Sequence, residues 1–302
     1  MDPGPRRRQY LRSISRAAAV LMILASSMVA APSAVAAPPQ VQALPSPLRF
    51  VSNLDLECFK TQPFTPPLPT TIVTRHLNPA LAHLPAELTP LGPREQLCVP
   101  VAKNNVIPPD DVIEFIRFVD LSCYRTTGQA VNFPLVITHL NPQLGHIPPK
   151  NVRITVPVQL CVPVVKNGVF PPLEVRRLVS FIDLKCYVEL PTTSLHVAFI
   201  LSHLNRVLAH LPRHQADVTF NRQLCVPVQK NNQPIPADVI NIIRWIDLEK
   251  YDIATPPLPA PVTLTLNHLN PLLANLPTET VTITAATHLL LPVAKNHLIP
   301  PV

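Results

Sequence analysis

Hydrophobic and polar residues alternate with a period of two in several stretches of the chain. Phe133, Leu135 and Ile137 do so ahead of His139, and Val152, Ile154, Val156 and Val158 do so after it. Val281 and Ile283 alternate with Thr280, Thr282 and Thr284. Two-residue periodicity carried by Val, Ile and Thr marks half-buried strands. The pairs Lys103-Asn104, Lys166-Asn167, Lys230-Asn231 and Lys295-Asn296 precede Asn105, Gly168, Asn232 and His297. Asn and Gly tolerate positive φ, so a strand is predicted to end in a turn at each place. The stretch 110–118 suits two readings: Val112, Ile113, Phe115 and Ile116 fit a helical stripe opened by an acidic start, and also a strand. The reading adopted is a turn followed by a strand that runs into Asp120-Leu121-Ser122-Cys123-Tyr124.

The pattern recurs. Leu97-Cys98-Val99-Pro100-Val101-Ala102-Lys103-Asn104 returns from Leu160, from Leu224 and from Leu289. His76-Leu77-Asn78 returns at His139, His203 and His268, and Asp55-Leu56 returns at Asp120, Asp183 and Asp247. Self-similarity at a fixed period is the mark of repeat architecture. From the motif His to the Cys position is 22 residues in every copy, as from His76 to Cys98 or His268 to Leu290. Length varies only between the Asp-Leu strand and the His, which makes residues 61–75 and their counterparts exposed loops. The expected fold is mainly β: four tandem, small β-sandwich-like units of about 64 residues. They would span 48–109, 110–172, 173–236 and 237–302.

Six cysteines fall two to a copy in the first three copies. The fourth has Lys250 and Leu290 at both places. Joint loss favours pairing within a copy, as Cys58–Cys98, Cys123–Cys161 and Cys186–Cys225, so the first three units would each carry one internal disulfide. Closing a loop of such length stabilises by roughly 4 kcal/mol in the chain-entropy picture, which matters in a unit with a small core. Zinc would need closely spaced Cys pairs or Cys with His, and no C-x-x-C is present.

Seven of the 11 His sit in the recurring motif: His76, His83, His139, His146, His203, His210 and His268. Imidazole is a common ligand for Zn and Cu, so these are candidate metal ligands. The competing reading, a structural His bonded within its loop, is preferred, since His139 continues the apolar alternation. Lys103 and its counterparts read as turn residues with solvated side chains. Asp55 and its counterparts are placed to orient the motif His, but no nucleophile recurs beside them and neither G-x-S-x-G nor H-E-x-x-H occurs. Packing residues are copied with every unit and catalytic sites seldom are, so no enzyme activity and no catalytic residue is expected.

Composition adds the setting. The 302 residues include 40 Pro and 5 Gly, which excludes long helices and a phosphate-cradling Gly-rich loop, and no cofactor is expected. Arg6, Arg7, Arg8, Arg12 and Arg16 precede an apolar run over residues 17–31, followed by Ala34-Val35-Ala36. This is the three-part pattern of a secretory signal over 1–36. Arg7-Arg8-Gln9-Tyr10-Leu11-Arg12 is similar to a twin-arginine signal, which leaves the export route open. A Pro-rich lead-in over 37–47 follows. The signal holds five of the 25 basic and one of the 18 acidic residues, so the net charge of +7 falls to +3 in the mature chain. A nucleic-acid partner therefore loses its main support, and no later stretch is long enough to span a membrane.

The Cys123-Tyr124 and Cys186-Tyr187 strands, together with Leu160-Cys161-Val162-Pro163-Val164-Val165-Lys166-Asn167, resemble an uncharacterised family of exported bacterial proteins. Its members carry tandem copies with a Cys-Tyr-Lys strand and a Leu-Cys-x-Pro-x-x-Lys-Asn strand. The resemblance covers all four copies and implies export and a compact β unit, with no activity to carry over. Departures are Phe59 for the first Tyr, Arg125 for Lys, and the missing Cys of the fourth copy. The expectation is a secreted, non-catalytic structural or interaction protein, extracellular or at the cell wall. Its partner would be an envelope component or an extracellular protein. The alternatives are a His-mediated metal-binding protein and a secreted hydrolase or hydrolase inhibitor.

Overall fold

A computed structural model describes residues 43–67 and 70–302. The signal expected over 1–36 lies outside the described residues, as does most of the lead-in. Helix α1 (Pro47–Val51) is followed by β1 (Leu56–Phe64), β2 (Thr70–His76), β3 (Glu87–Leu91) and β4 (Arg94–Lys103). Then come α2 (Asp110–Ile116), β5 (Leu121–Arg125), β6 (Phe133–His139) and β7 (Lys150–Lys166), and α3 (Leu173–Val179), β8 (Leu184–Leu190), β9 (Ser194–His203) and β10 (His214–Lys230). The last set is α4 (Ala237–Ile243), β11 (Leu248–Ala254), β12 (Val262–His268) and β13 (Glu279–Lys295). The protein is mainly β, with disulfides Cys58–Cys98, Cys123–Cys161 and Cys186–Cys225.

The links between segments correct the expected turn and strand: they contain helices α2, α3 and α4. Each buries residues at i, i+3 and i+4: Val112, Phe115 and Ile116; Val175, Leu178 and Val179; Val239, Ile242 and Ile243. Pro precedes each helix, and an acidic residue (Asp110, Asp111, Glu174 or Asp238) favours its first turn. At seven residues none is stable alone; packing of the apolar stripe decides the conformation.

Strand pairing runs across segment boundaries. The order β1–β4–β5–β7–β8–β10–β11–β13 returns to β1, with every neighbour antiparallel. Eight strands thus close a barrel, which leaves no unpaired edge in its wall. The four helices touch in a cycle, α1 with α2, α2 with α3, α3 with α4 and α4 with α1. Their buried faces join the six half-cystines, Leu56, Leu121, Leu184, Leu248 and Leu290 in one cluster. That cluster fills the barrel from the helix end. The remaining hairpin strands cover the wall from outside. β6, β9 and β12 pair along their own long strands and β2 pairs with β3, and each of the four then pairs with the far end of another segment's strand: β2 with β10, β9 with β4, β6 with β13 and β12 with β7. The wall's outward residues, such as Leu224 and Val226, pack beneath these hairpins with Leu135, Ile137, Val152 and Ile154. Burial on both faces explains why Leu-Cys-Val-Pro-Val reads as a continuous apolar run and not as an alternation.

Candidate functional site

The recurring motif residues are consumed by this architecture. Lys103, Lys166, Lys230 and Lys295 are buried and form ion pairs with Asp55, Asp120, Asp183 and Asp247. This corrects the solvated turn lysine: the strand alternation turns its ammonium inward, where only a carboxylate makes burial tolerable. Burial pushes the four carboxyls up and the four ammoniums down, and each shift is opposed by the partner's charge. The following Asn104, Asn167, Asn231 and Asn296 do take positive φ, as the turn reading requires. Their side-chain oxygens accept hydrogen bonds from the backbone N–H of Ile200, Thr265, Val73 and Val136, which clamps the crossing hairpins. The Asn of His-Leu-Asn is equally occupied: Asn141 donates to Asp55 at 3.1 Å and Asn205 to Asp120 at 2.9 Å.

The motif His separate. His83, His146 and His210 are exposed. The Nε2 atoms of His76, His139 and His268 face the hydroxyls of Tyr187, Tyr251 and Tyr124 at 3.0, 3.3 and 3.0 Å. Burial lowers the pKa of His76 to about 3 and of His139 to about 4. His203 stands apart, because Phe59 occupies the Tyr position, with ring centroids 5.7 Å apart. Beside it are Glu57 and His214, and the ligand atoms of Glu57, His203 and His214 all lie within 4.8 Å of one another. Among the described residues this is the one such group, and it contains a single member of the sequence-derived set.

Positions at which the recurring sequence motifs differ gather on the barrel axis. Two residues before each half-cystine of the long strands stand Gln96, Gln159 and Gln223, with His288 at the fourth place. Alternation puts these four on the barrel's inner face, one layer outward from the cysteines. A pocket of about 570 Å³ opens there, lined by residues from seven of the eight wall strands, among them Gln96, Gln159, Gln223, Lys250 and His288. Ligand pockets of such size at a barrel mouth are common. Lys250 of β11 stands where Cys58, Cys123 and Cys186 stand in β1, β5 and β8, and sits at the pocket floor.

The floor is a hydrogen-bonded polar layer. Lys250 Nζ donates to Gln96 Oε1 and, at 2.7 Å, to Gln159 Oε1. Gln96 Nε2 donates to His288 Nδ1 at 2.7 Å, which leaves the imidazole proton on Nε2, 3.4 Å from Asp252. Gln159 Nε2 donates to Glu95 at 2.8 Å. Burial lowers Lys250 to about 7, partly offset by Glu95 and Asp252. Burial, reinforced by the charge of Lys250, lowers His288 to about 3. Five of the six buried lysines, Lys103, Lys166, Lys185, Lys230 and Lys295, have a carboxylate partner. Among the described residues Lys250 is the buried lysine without one. Glu95 and Asp252 are themselves paired with Arg125 and Arg222.

In the sequence Lys250 stands only as a lost half-cystine. The signal was present as the break in a fourfold pattern, together with His288 in the Gln register; that both face one axis needed the closed ring. No helix among the described residues is long and apolar enough to cross a membrane. Compared with known protein families, with curated proteins and with solved structures, the chain matches none.

Proposed function

We propose that the mature chain is an exported, non-catalytic binding protein of the cell envelope or the extracellular space, built by fourfold duplication. Its axial pocket receives an acidic group, a carboxylate or a phosphate, of its partner. The observation that supports this reading is Lys250: a buried amine at the floor of an open pocket, held by two amide oxygens and lacking a carboxylate. Two of the three donors of its ammonium are engaged, and the third is available to a ligand oxygen. Repetition supports the non-catalytic part, since the recurring Asp, Lys and Asn residues, with His76, His139 and His268, are absorbed in packing.

Calorimetric titration of the mature chain with succinate, citrate and inorganic phosphate tests this. Binding is expected for wild type and not for Lys250→Met. Because an anion favours the ammonium form, binding at pH 8 is accompanied by proton uptake. Affinity falls by up to about tenfold per pH unit above 7, where Lys250 loses its proton. Anion binding of equal strength in Lys250→Met, or absence of binding at pH 6, would remove the proposal.

A further inference from the structure

The four motif His occupy corresponding places under the hairpins, and three of them are satisfied in the same way by a Tyr hydroxyl. The fourth place differs at two positions at once. Phe59 stands where Tyr124, Tyr187 and Tyr251 stand elsewhere. Eleven residues beyond the motif His, Glu87, Lys150 and Glu279 are replaced by His214. The first change leaves Nε2 of buried His203 without a hydrogen-bond partner, as Nδ1 is in all four motif His, and Glu57 Oε2 beside it is equally orphaned. The second change adds an imidazole whose Nε2 lies 2.7 Å from Glu57 Oε1. His203 Nε2 is 3.7 Å from Glu57 Oε2, and the side chains of both residues are fully buried.

We propose that Glu57, His203 and His214 bind a divalent transition-metal ion of the zinc class. Four observations carry this beyond a cluster of polar residues. The donor set, two imidazoles and one carboxylate, is one that zinc accepts with a fourth position left open. Zinc bonds of about 2.0–2.2 Å place tetrahedral ligand atoms roughly 3.4 Å apart. His203 Nε2 and Glu57 Oε2 stand 3.7 Å apart, within a few tenths of an ångström of that spacing, and the ligand atoms of all three residues lie within 4.8 Å of one another, so small side-chain shifts close the site. The ligands are also mounted on rigid elements, since Glu57 lies in wall strand β1, while His203 ends β9 and His214 begins β10. His214 Nδ1 lies 3.5 Å from the Pro212 carbonyl, a partner of the kind that orients a metal-bound imidazole. This site is separate from the axial pocket, and neither proposal depends on the other.

Zinc titration of the mature chain by calorimetry, paired with the visible spectrum of its cobalt(II) adduct, tests the assignment. One ion per chain is expected, with the absorption of a tetrahedral cobalt site. His214→Ala, at a partly exposed position, is expected to weaken binding by at least about tenfold and abolish the cobalt bands. Phe59→Tyr restores the residue of the other three places and supplies His203 with a hydroxyl, so affinity falls while the fold is kept. The triple variant His83→Asn, His146→Asn, His210→Asn, which removes exposed imidazoles, is expected to bind as wild type does. The assignment is overturned by an absence of zinc binding, by unchanged binding in both His214→Ala and Phe59→Tyr, or by loss of binding in the triple variant.

Discussion

At the residue scale, Lys250 illustrates how a departure from a packed pattern stores free energy at a site. A half-cystine or Leu at this place would complete the apolar layer beneath the pocket; a lysine there has its ammonium desolvated. Its folded-state pKa of about 7 lies below the unfolded value of about 10.4, so between those pH values the unfolded chain holds a proton that the folded chain does not. Stability therefore rises with pH across that window. Lys250→Met is expected to be more stable than wild type by about 4 kcal/mol at pH 7, and the difference shrinks by about 1.4 kcal/mol per pH unit up to pH 10. Denaturant unfolding of both proteins across this range checks it; a difference that does not change with pH would refute the linkage. The lysines of the Lys-Asn pairs behave differently, because each has a carboxylate. Lys and Asp are 48 residues apart in the first segment, from Asp55 to Lys103, so nothing local announces the pair.

At the element scale, the disulfides tie β1 to β4, β5 to β7 and β8 to β10, opposite residues in register at each. Strand β11 has neighbours on both sides but no covalent tie. The untied loop leaves more conformational freedom to its open state, worth roughly 4 kcal/mol for a closure of about 40 residues. Amides of Leu248–Ala254 are expected to exchange with solvent faster than those of Leu121–Arg125 and Leu184–Leu190. Native-state hydrogen exchange read by mass spectrometry measures this, and equal protection would contradict it. The short helices show the other side of the same scale. Their apolar residues at Val112, Phe115 and Ile116 fit either secondary structure over so few residues, and the cluster of half-cystines and leucines that they cover settles the matter.

At the scale of the whole molecule, the barrel closes only because β13 pairs with β1, with Leu290 opposite Leu56. The backbone bond from Leu48 N–H to the Pro301 carbonyl (2.9 Å) lies beside that seam. Hairpins also cross between segments that are not sequential, so that β6 needs β13 and β7 needs β12. Removing residues 237–302 would strip β1 and β10 of wall neighbours and expose their edges. Such a truncated chain is expected to lose cooperative unfolding and to aggregate, as judged by circular dichroism and size-exclusion chromatography. A monomer that melts cooperatively would show instead that the segments fold independently.

The amino-acid sequence by itself determined the strand-rich character, the positive-φ turns after each Lys-Asn pair and the pairing of the six cysteines. Alternation, turn chemistry and the joint loss of two half-cystines are local or countable features. Tertiary structure alone decided the helical links, the burial of the Lys-Asn lysines and the meeting of Gln96, Gln159, Gln223, Lys250 and His288 on one axis. It also brought Glu57 to His203 and His214 across some 150 residues of chain. The reason is physical: a strand's period says which residues share a face, but only ring closure says which faces look inward and upon whom.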